Sequence, residues 1–228
     1  MSNENPGHDG KKPLFVFPEF HNRIPLMLAP VLALAPIGLI GAIWYYFSPS
    51  FTDVGYQPDQ PVPYSHKLHA GDLGIDCRYC HVGVEKGPHA GVPPTQTCMN
   101  CHASVKKDSP LLTPVRESWT SGESMQWVRI HKAPDYVYFD HSAHVRATIG
   151  CEACHGRIDQ AVVVKQEQPL SMAWCLECHK APENYLRPHG TATVMGYKPE
   201  GGDQLALGTK LKKENNINPP INCSGCHR

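Results

Sequence analysis

The sequence predicts a mostly α-helical, loop-rich fold with little or no β-sheet, preceded by one N-terminal membrane-spanning helix. Three observations lead there. Positions 24–47 form an uncharged apolar run. The 228 residues contain 22 prolines and 19 glycines. All ten cysteines fall in five copies of Cys-x-x-Cys-His. Proline and glycine at that density interrupt regular structure and favour short helices joined by turns.

The cysteine motifs are Cys77/Cys80/His81, Cys98/Cys101/His102, Cys151/Cys154/His155, Cys175/Cys178/His179 and Cys223/Cys226/His227. This spacing is that of c-type haem attachment. The two thiols take up the two vinyl groups, and the adjacent imidazole becomes the proximal iron ligand. Zinc ribbons are a rival, because the first four pairs lie at distances that suit Cys-x2-Cys…Cys-x2-Cys. Redox dithiols or a disulfide framework would also use such pairs. The fifth pair has no partner for a zinc site, and zinc does not require histidine directly after each pair. Histidine occupies 14 of 228 positions, so five such followers by chance have odds of about one in a million. The motifs predict five haem c.

The run at 24–47 is long enough to cross a bilayer as a helix. A cleavable signal sequence has a shorter apolar region. Ala33-Leu34-Ala35 resembles a cleavage site, but Pro36 follows it and the apolar sequence continues. The run is therefore read as an anchor. Lys11, Lys12 and Arg23 precede it, and no Lys or Arg follows until Lys67. The positive-inside rule predicts a cytoplasmic segment 1–23, a single span 24–47 and an external domain 48–228. Trp44, Tyr45 and Tyr46 would lie at the outer interface. Pro30, Pro36, Gly38 and Gly41 give the span small faces suited to packing on other membrane helices.

The external domain contains a duplication. Tyr64, His66 and His69 precede Cys77 as Phe139, His141 and His144 precede Cys151, and each block is followed by a second Cys-x-x-Cys-His. Corresponding positions are offset by 75, 74 and 77 residues. Two-motif units are thus expected at about 64–105 and 139–182, with the fifth motif alone at 223–227. After the anchor there are roughly 36 residues per motif, too few to build an ordinary core around each. Lys+Arg and Asp+Glu balance at 21 each, which gives no argument for nucleic acid. Residues 183–220 are polar, and Gln204–Glu214 is expected to form one short helix.

The block aromatic-x-His-x-x-His before Cys-x-x-Cys-His resembles the opening of cytochromes c3 and c7, and implies similar haem packing. In those families the first histidine ligates the haem just downstream and the second ligates a different one. The resemblance implies that His66 serves the Cys77/Cys80 haem and His141 the Cys151/Cys154 haem, with His69 and His144 each reaching another. Five carriers need a fifth distal ligand. The candidates are His131, and Met172, whose thioether would raise the potential of its haem.

The order and number of motifs, with Cys-Met-Asn-Cys-His at Cys98 and Met-Ala-Trp-Cys-Leu-Glu-Cys-His at Met172, resemble the pentahaem cytochrome c subunit of alternative complex III. That likeness implies a single-pass subunit of the bacterial inner membrane with its haem domain in the periplasm. It implies iron–sulfur and quinol-binding membrane subunits as neighbours. It also implies electron relay from quinol oxidation to a monohaem cytochrome c or terminal oxidase. The subunit by itself would be a carrier and not an enzyme. Two rivals are a membrane-anchored quinol dehydrogenase feeding a periplasmic reductase, and a catalytic multihaem reductase. About thirty residues between Phe47 and Cys77 count against the first. Histidine in every motif, with spare ligands available, counts against the second.

Overall fold

The computed structural model describes residues 18–227; Lys11 and Lys12, on which the predicted orientation partly rests, lie outside them. The chain divides into two compact units after Phe47.

In the first unit a short turn, Glu19–Arg23, leads into α1, Ile24–Tyr46. Twenty-three residues at a helical rise give about 35 Å, enough for a hydrocarbon layer of roughly 30 Å. Pro30 and Pro36 sit inside the helix without ending it, and none of its residues is buried. A helix that is apolar on every side has no face to choose for a small protein core. It is long and apolar enough to cross a membrane.

The second unit is helical and strandless among the described residues. Its only β-type pairings there are two isolated bridges, Val137 with His227 and Ile149 with Leu186. The helices are α2 (Pro49–Thr52), α3 (Cys77–Cys80), α4 (Thr95–His102), α5 (Thr113–Ser121), α6 (His141–Arg146), α7 (Glu152–His155), α8 (Met172–Lys180) and α9 (Gln204–Glu214). Most are shorter than an isolated peptide could sustain, so each needs a cap or a packed neighbour. The caps are side chains that the sequence supplies at helix starts. Asp76 accepts from the Arg78 amide at 2.8 Å, Asp140 from Ser142 at 2.8 Å, Ser171 from Trp174 at 3.3 Å and Asp203 from Ala206 at 2.9 Å.

The helix α9 occupies the residues expected of it. It packs on the turn Pro182–Asn184, with Gly208 so near the Glu183 carbonyl that a Cβ there would overlap it. Lys212 Nζ closes the contact by donating to Glu183 at 2.8 Å. Elsewhere the protein core is thin. Among the described residues the buried apolar side chains are Val62, Val115, Ile149 and Leu186. A domain of this length that relied on side chains alone would bury many more.

Candidate haem sites

Helical geometry brings each motif to one point. Residues i, i+3 and i+4 share a helix face, so the two thiols and the following imidazole of a Cys-x-x-Cys-His segment point the same way. The first motif forms α3, with His81 as its C-terminal cap. The second and fourth end α4 and lie along α8. Cys151 opens α7 and His155 closes it. The fifth makes a single turn, Cys223–Gly225, which Asn222 caps by accepting from Gly225 at 3.1 Å. All ten cysteines are free thiols. Among the described residues no three His, Cys, Asp or Glu side chains converge as a zinc site requires.

Four motif histidines face a histidine from the two repeated blocks. Ring centres are 6.5 Å apart for His66 and His81, 6.2 Å for His69 and His102, 6.4 Å for His141 and His155, and 6.1 Å for His144 and His179. A metal–imidazole bond of about 2.0 Å, plus roughly 1.1 Å from nitrogen to ring centre, puts two trans imidazoles about 6.2 Å apart. All four pairs fit an iron between them. The repeat also extends to orientation. The His66/His81 and His141/His155 planes lie 3° and 7° from parallel, whereas His69/His102 and His144/His179 are turned by 66° and 41°.

Backbone carbonyls hold most of these rings through Nδ1. His81 meets Gly91 O at 2.7 Å, His102 Val105 O at 2.9 Å, His179 Pro220 O at 2.7 Å and His227 Tyr136 O at 3.1 Å. His69 bonds Ser65 O at 2.9 Å and His144 bonds Asp140 O at 2.7 Å, equivalent positions of the two blocks. His141 bonds Pro88 O at 2.6 Å. A carbonyl can only accept, so Nδ1 carries the proton and Nε2 keeps its lone pair for a metal. His66 departs from this pattern: its Nδ1 is buried without a hydrogen-bond partner. Burial pushes His66 down to about 4 and His155 down to about 3, with neighbouring histidines adding to the shift. Burial lowers His144 in the same way. Neutral imidazoles are the ligating form.

The structure gives His131 a different place from the fifth-ligand role expected of it. Its ring centre is 4.4 Å from that of His155 and tilted by 77°, too close for an iron between them. Its Nε2 lies 3.4 Å from His155 Nδ1, where the other motif histidines meet a carbonyl. The physical reason is local: residues 123–134 run as extended chain, which brings His131 behind the third motif. Opposite His227 the ring neighbour is Tyr136, centred 5.7 Å away. Met172 is exposed at the start of α8, one turn before Cys175. The thiol of Cys175 in turn lies near that of Cys226 in the fifth motif.

Comparison with known proteins agrees with this geometry. The profile of the cytochrome c3 family matches residues 143–228. The matched part is a cytochrome c3-like multihaem domain. A relative, the multiheme cytochrome c subunit of menaquinone reductase from Nitratidesulfovibrio vulgaris (strain Hildenborough), is 36% identical. That match covers 52% of this chain and 56% of the relative, so the chain spans little more than half of the relative's length. The cytochrome c3-like part contains the third, fourth and fifth motifs except for its first block residues, which begin at Phe139. Covalently bound haem c fits the residues present: free thiol pairs, neutral imidazoles at iron-spanning distance, and a protein interior that side chains leave thin.

Some site features carried no sequence signal. The carbonyls of Pro88, Gly91, Tyr136 and Pro220 come from loops with no motif. Arg187, nearly buried, pairs with Glu152 inside the third motif and donates to Val194 O at 3.0 Å. Glu152 also accepts from the Gly196 amide at 2.5 Å. An arginine 35 residues from its partner offers no periodicity to read.

Proposed function

We propose that this protein is the pentahaem electron-transfer subunit of a membrane respiratory complex linked to the quinone pool, of the alternative complex III type. In this reading Cys77/Cys80, Cys98/Cys101, Cys151/Cys154, Cys175/Cys178 and Cys223/Cys226 each hold one haem c, with His81, His102, His155, His179 and His227 as proximal ligands. His66, His69, His141 and His144 are the distal ligands of the first, second, third and fourth haems in that order. Met172 is the distal ligand of the fifth, since His131 is engaged with His155. Bound haem c supplies a reversible one-electron centre, and protein groups tune it through ligand, burial and hydrogen bonding.

The observation that carries the proposal is the set of four imidazole pairs at 6.1–6.5 Å. Histidine on both sides of each iron position leaves no place for substrate. The protein's work is to hold ligand rings, exclude water and position neighbouring sites. The helix α1 anchors the domain, with Arg23 on the cytoplasmic side and Trp44, Tyr45 and Tyr46 at the periplasmic interface. Partners are the quinol-binding and iron–sulfur subunits of the same complex, with a monohaem cytochrome c or terminal oxidase as acceptor.

The relative's name favours a second direction, in which electrons arrive from periplasmic donors and menaquinone is reduced. Redox titration of the purified complex separates the two. Midpoint potentials mainly above that of the quinone pool, with haem reduction by a quinol analogue in stopped flow, support relay from quinol. Potentials below the pool, with oxidation by a quinone analogue, support the reverse. Fewer than five haems per chain by pyridine haemochrome assay, or high-spin ferric iron with reduction of nitrite or a sulfur oxyanion, would overturn the carrier reading.

A further inference from the structure

The five motifs touch in one spatial order, and it differs from their order in the chain. The first and second share the block carrying His66 and His69, and Asn100 of the second donates to Tyr79 Oη of the first at 3.1 Å. The third and fourth share His141 and His144, and Cys154 neighbours both Cys175 and Cys178. The two units meet through the first and third motifs, where the thiols of Cys77 and Cys151 hydrogen-bond. Two further contacts seal that junction. Thr193 Oγ1 donates to Asp76, beside Cys77, at 2.9 Å, while the adjacent Ala192 O accepts from the Cys151 amide at 2.9 Å. The loop after the first motif supplies Gly91 O to His81 and Pro88 O to His141. It thereby holds the proximal histidine of one motif and the facing histidine of another.

The fifth motif joins the outer side of the fourth. Pro220 O, three residues before Cys223, takes His179 Nδ1 at 2.7 Å, and Cys226 lies near Cys175. Because Cys77 and Cys151 are equivalent positions, the duplicated units meet head to head, and their second members point outward. Exposure gives an independent indication of the ends. Of the ten cysteines only Cys101, in the second motif, and Cys223, in the fifth, are exposed.

We infer that the motifs form a single unbranched file in the order second, first, third, fourth, fifth, and that exchange with partner proteins occurs at the second and fifth. The inference rests on the haem-binding reading above. One electron enters from a one-electron donor centre of a partner docked at one end. One leaves to a one-electron acceptor docked at the other, so the file returns to its starting charge. Interior sites are covered by their neighbours and have no docking face of their own.

The test uses electron paramagnetic resonance of the full-length protein. A histidine-to-methionine change raises the potential of its haem. Under mild reductive poise that haem becomes diamagnetic first and stops broadening its ferric neighbours. His141→Met, in the third site, is expected to sharpen two other signals. His69→Met, in the second and terminal site, should sharpen one. His144→Met, in the fourth, should sharpen two and serves where His141→Met loses its haem. Two sharpened signals from His69→Met, or any count other than two from both interior variants, overturns the file. A haem count below five in the unaltered protein would instead defeat the haem reading, leaving the two failures distinguishable.

Discussion

The imidazole of His66 faces that of His81 at 6.5 Å and only 3° from parallel. Its counterpart in the other repeat, His141 with His155, is 7° from parallel, while the second pair of each repeat is twisted. Ligand-plane angle controls how far the iron d orbitals of π symmetry split: parallel planes split them widely and twisted planes leave them nearly degenerate. The oxidised protein is therefore expected to show two rhombic low-spin signals and two of larger g anisotropy from these four sites. His66→Ala should remove one rhombic signal and leave the twisted pairs. Spin quantitation at liquid-helium temperature checks both statements.

His131 is expected to act as a positioning residue for the third site. With Nε2 of His155 reserved for iron, its Nδ1 carries the proton and faces the His131 nitrogen at 3.4 Å. A nitrogen acceptor there increases the basicity of the proximal ligand and stabilises oxidised iron. His131→Leu should raise one of the midpoint potentials and leave the others in place. His131→Gln, which restores an acceptor, should return it most of the way. A redox titration followed at the haem absorption bands reads both variants, and a merely structural role would not move a single potential selectively.

Arg187 and Glu152 form a nearly buried ion pair that fixes the third motif against residues 194–197, and the Arg187 guanidinium also lies 5.2 Å from the Tyr197 ring centre. Arg187→Ala leaves the carboxylate of Glu152 uncompensated, and is expected to cost about 3–5 kcal/mol. Arg187→Lys should rescue little, because a single ammonium cannot replace the guanidinium fork that reaches both Glu152 and Val194 O. Replacing both charges, as in Glu152→Gln with Arg187→Met, should cost less than Arg187→Ala alone. Guanidinium denaturation of the holoprotein measures all three.

The Asp76 cap predicts a pH signature. Hydrogen bonds from the Arg78 side chain hold its carboxyl down to about 2, against 3.8 for a free aspartate, with the Arg78 amide and Thr193 adding to the effect. A folded-state value below the unfolded one contributes stability that is fully present above about pH 3.8 and is lost as pH falls through about 2. Asp76→Ala should therefore cost about 1 kcal/mol, the usual value for a lost helix cap, equally at pH 7 and pH 5. The gap from the unaltered protein should close only as pH approaches 2. Denaturation curves at several pH values test the sign and the window.

Much of this arrangement was legible in the residues because the relevant patterns are local. Cys-x-x-Cys-His spans five residues, and helical geometry alone gathers its thiols and imidazole. The His-x-x-His blocks announced themselves by repetition, and α1 by an uncharged stretch that needs no tertiary partner. The expected termini of α9 were also local, set by Asp203 at one end and a lysine-rich last turn at the other. His131 shows where local reading stops. Its short sequence context, Trp127 to His131 before the second block, says nothing about which motif the extended chain will reach, and the structure brings it behind His155. The Nδ1 partners were equally hidden, because every residue owns a carbonyl and sequence does not mark which one a fold will use.

Taken alone, then, the sequence determined the covalent chemistry, the repeat and the apolar helix, all of which depend on spacings within one turn or one run. The tertiary structure decided which histidine faces which, that Cys77 meets Cys151, and that the second and fifth motifs stand at the ends. Those are long-range contacts between loops, and a one-dimensional pattern holds no record of how loops close in space.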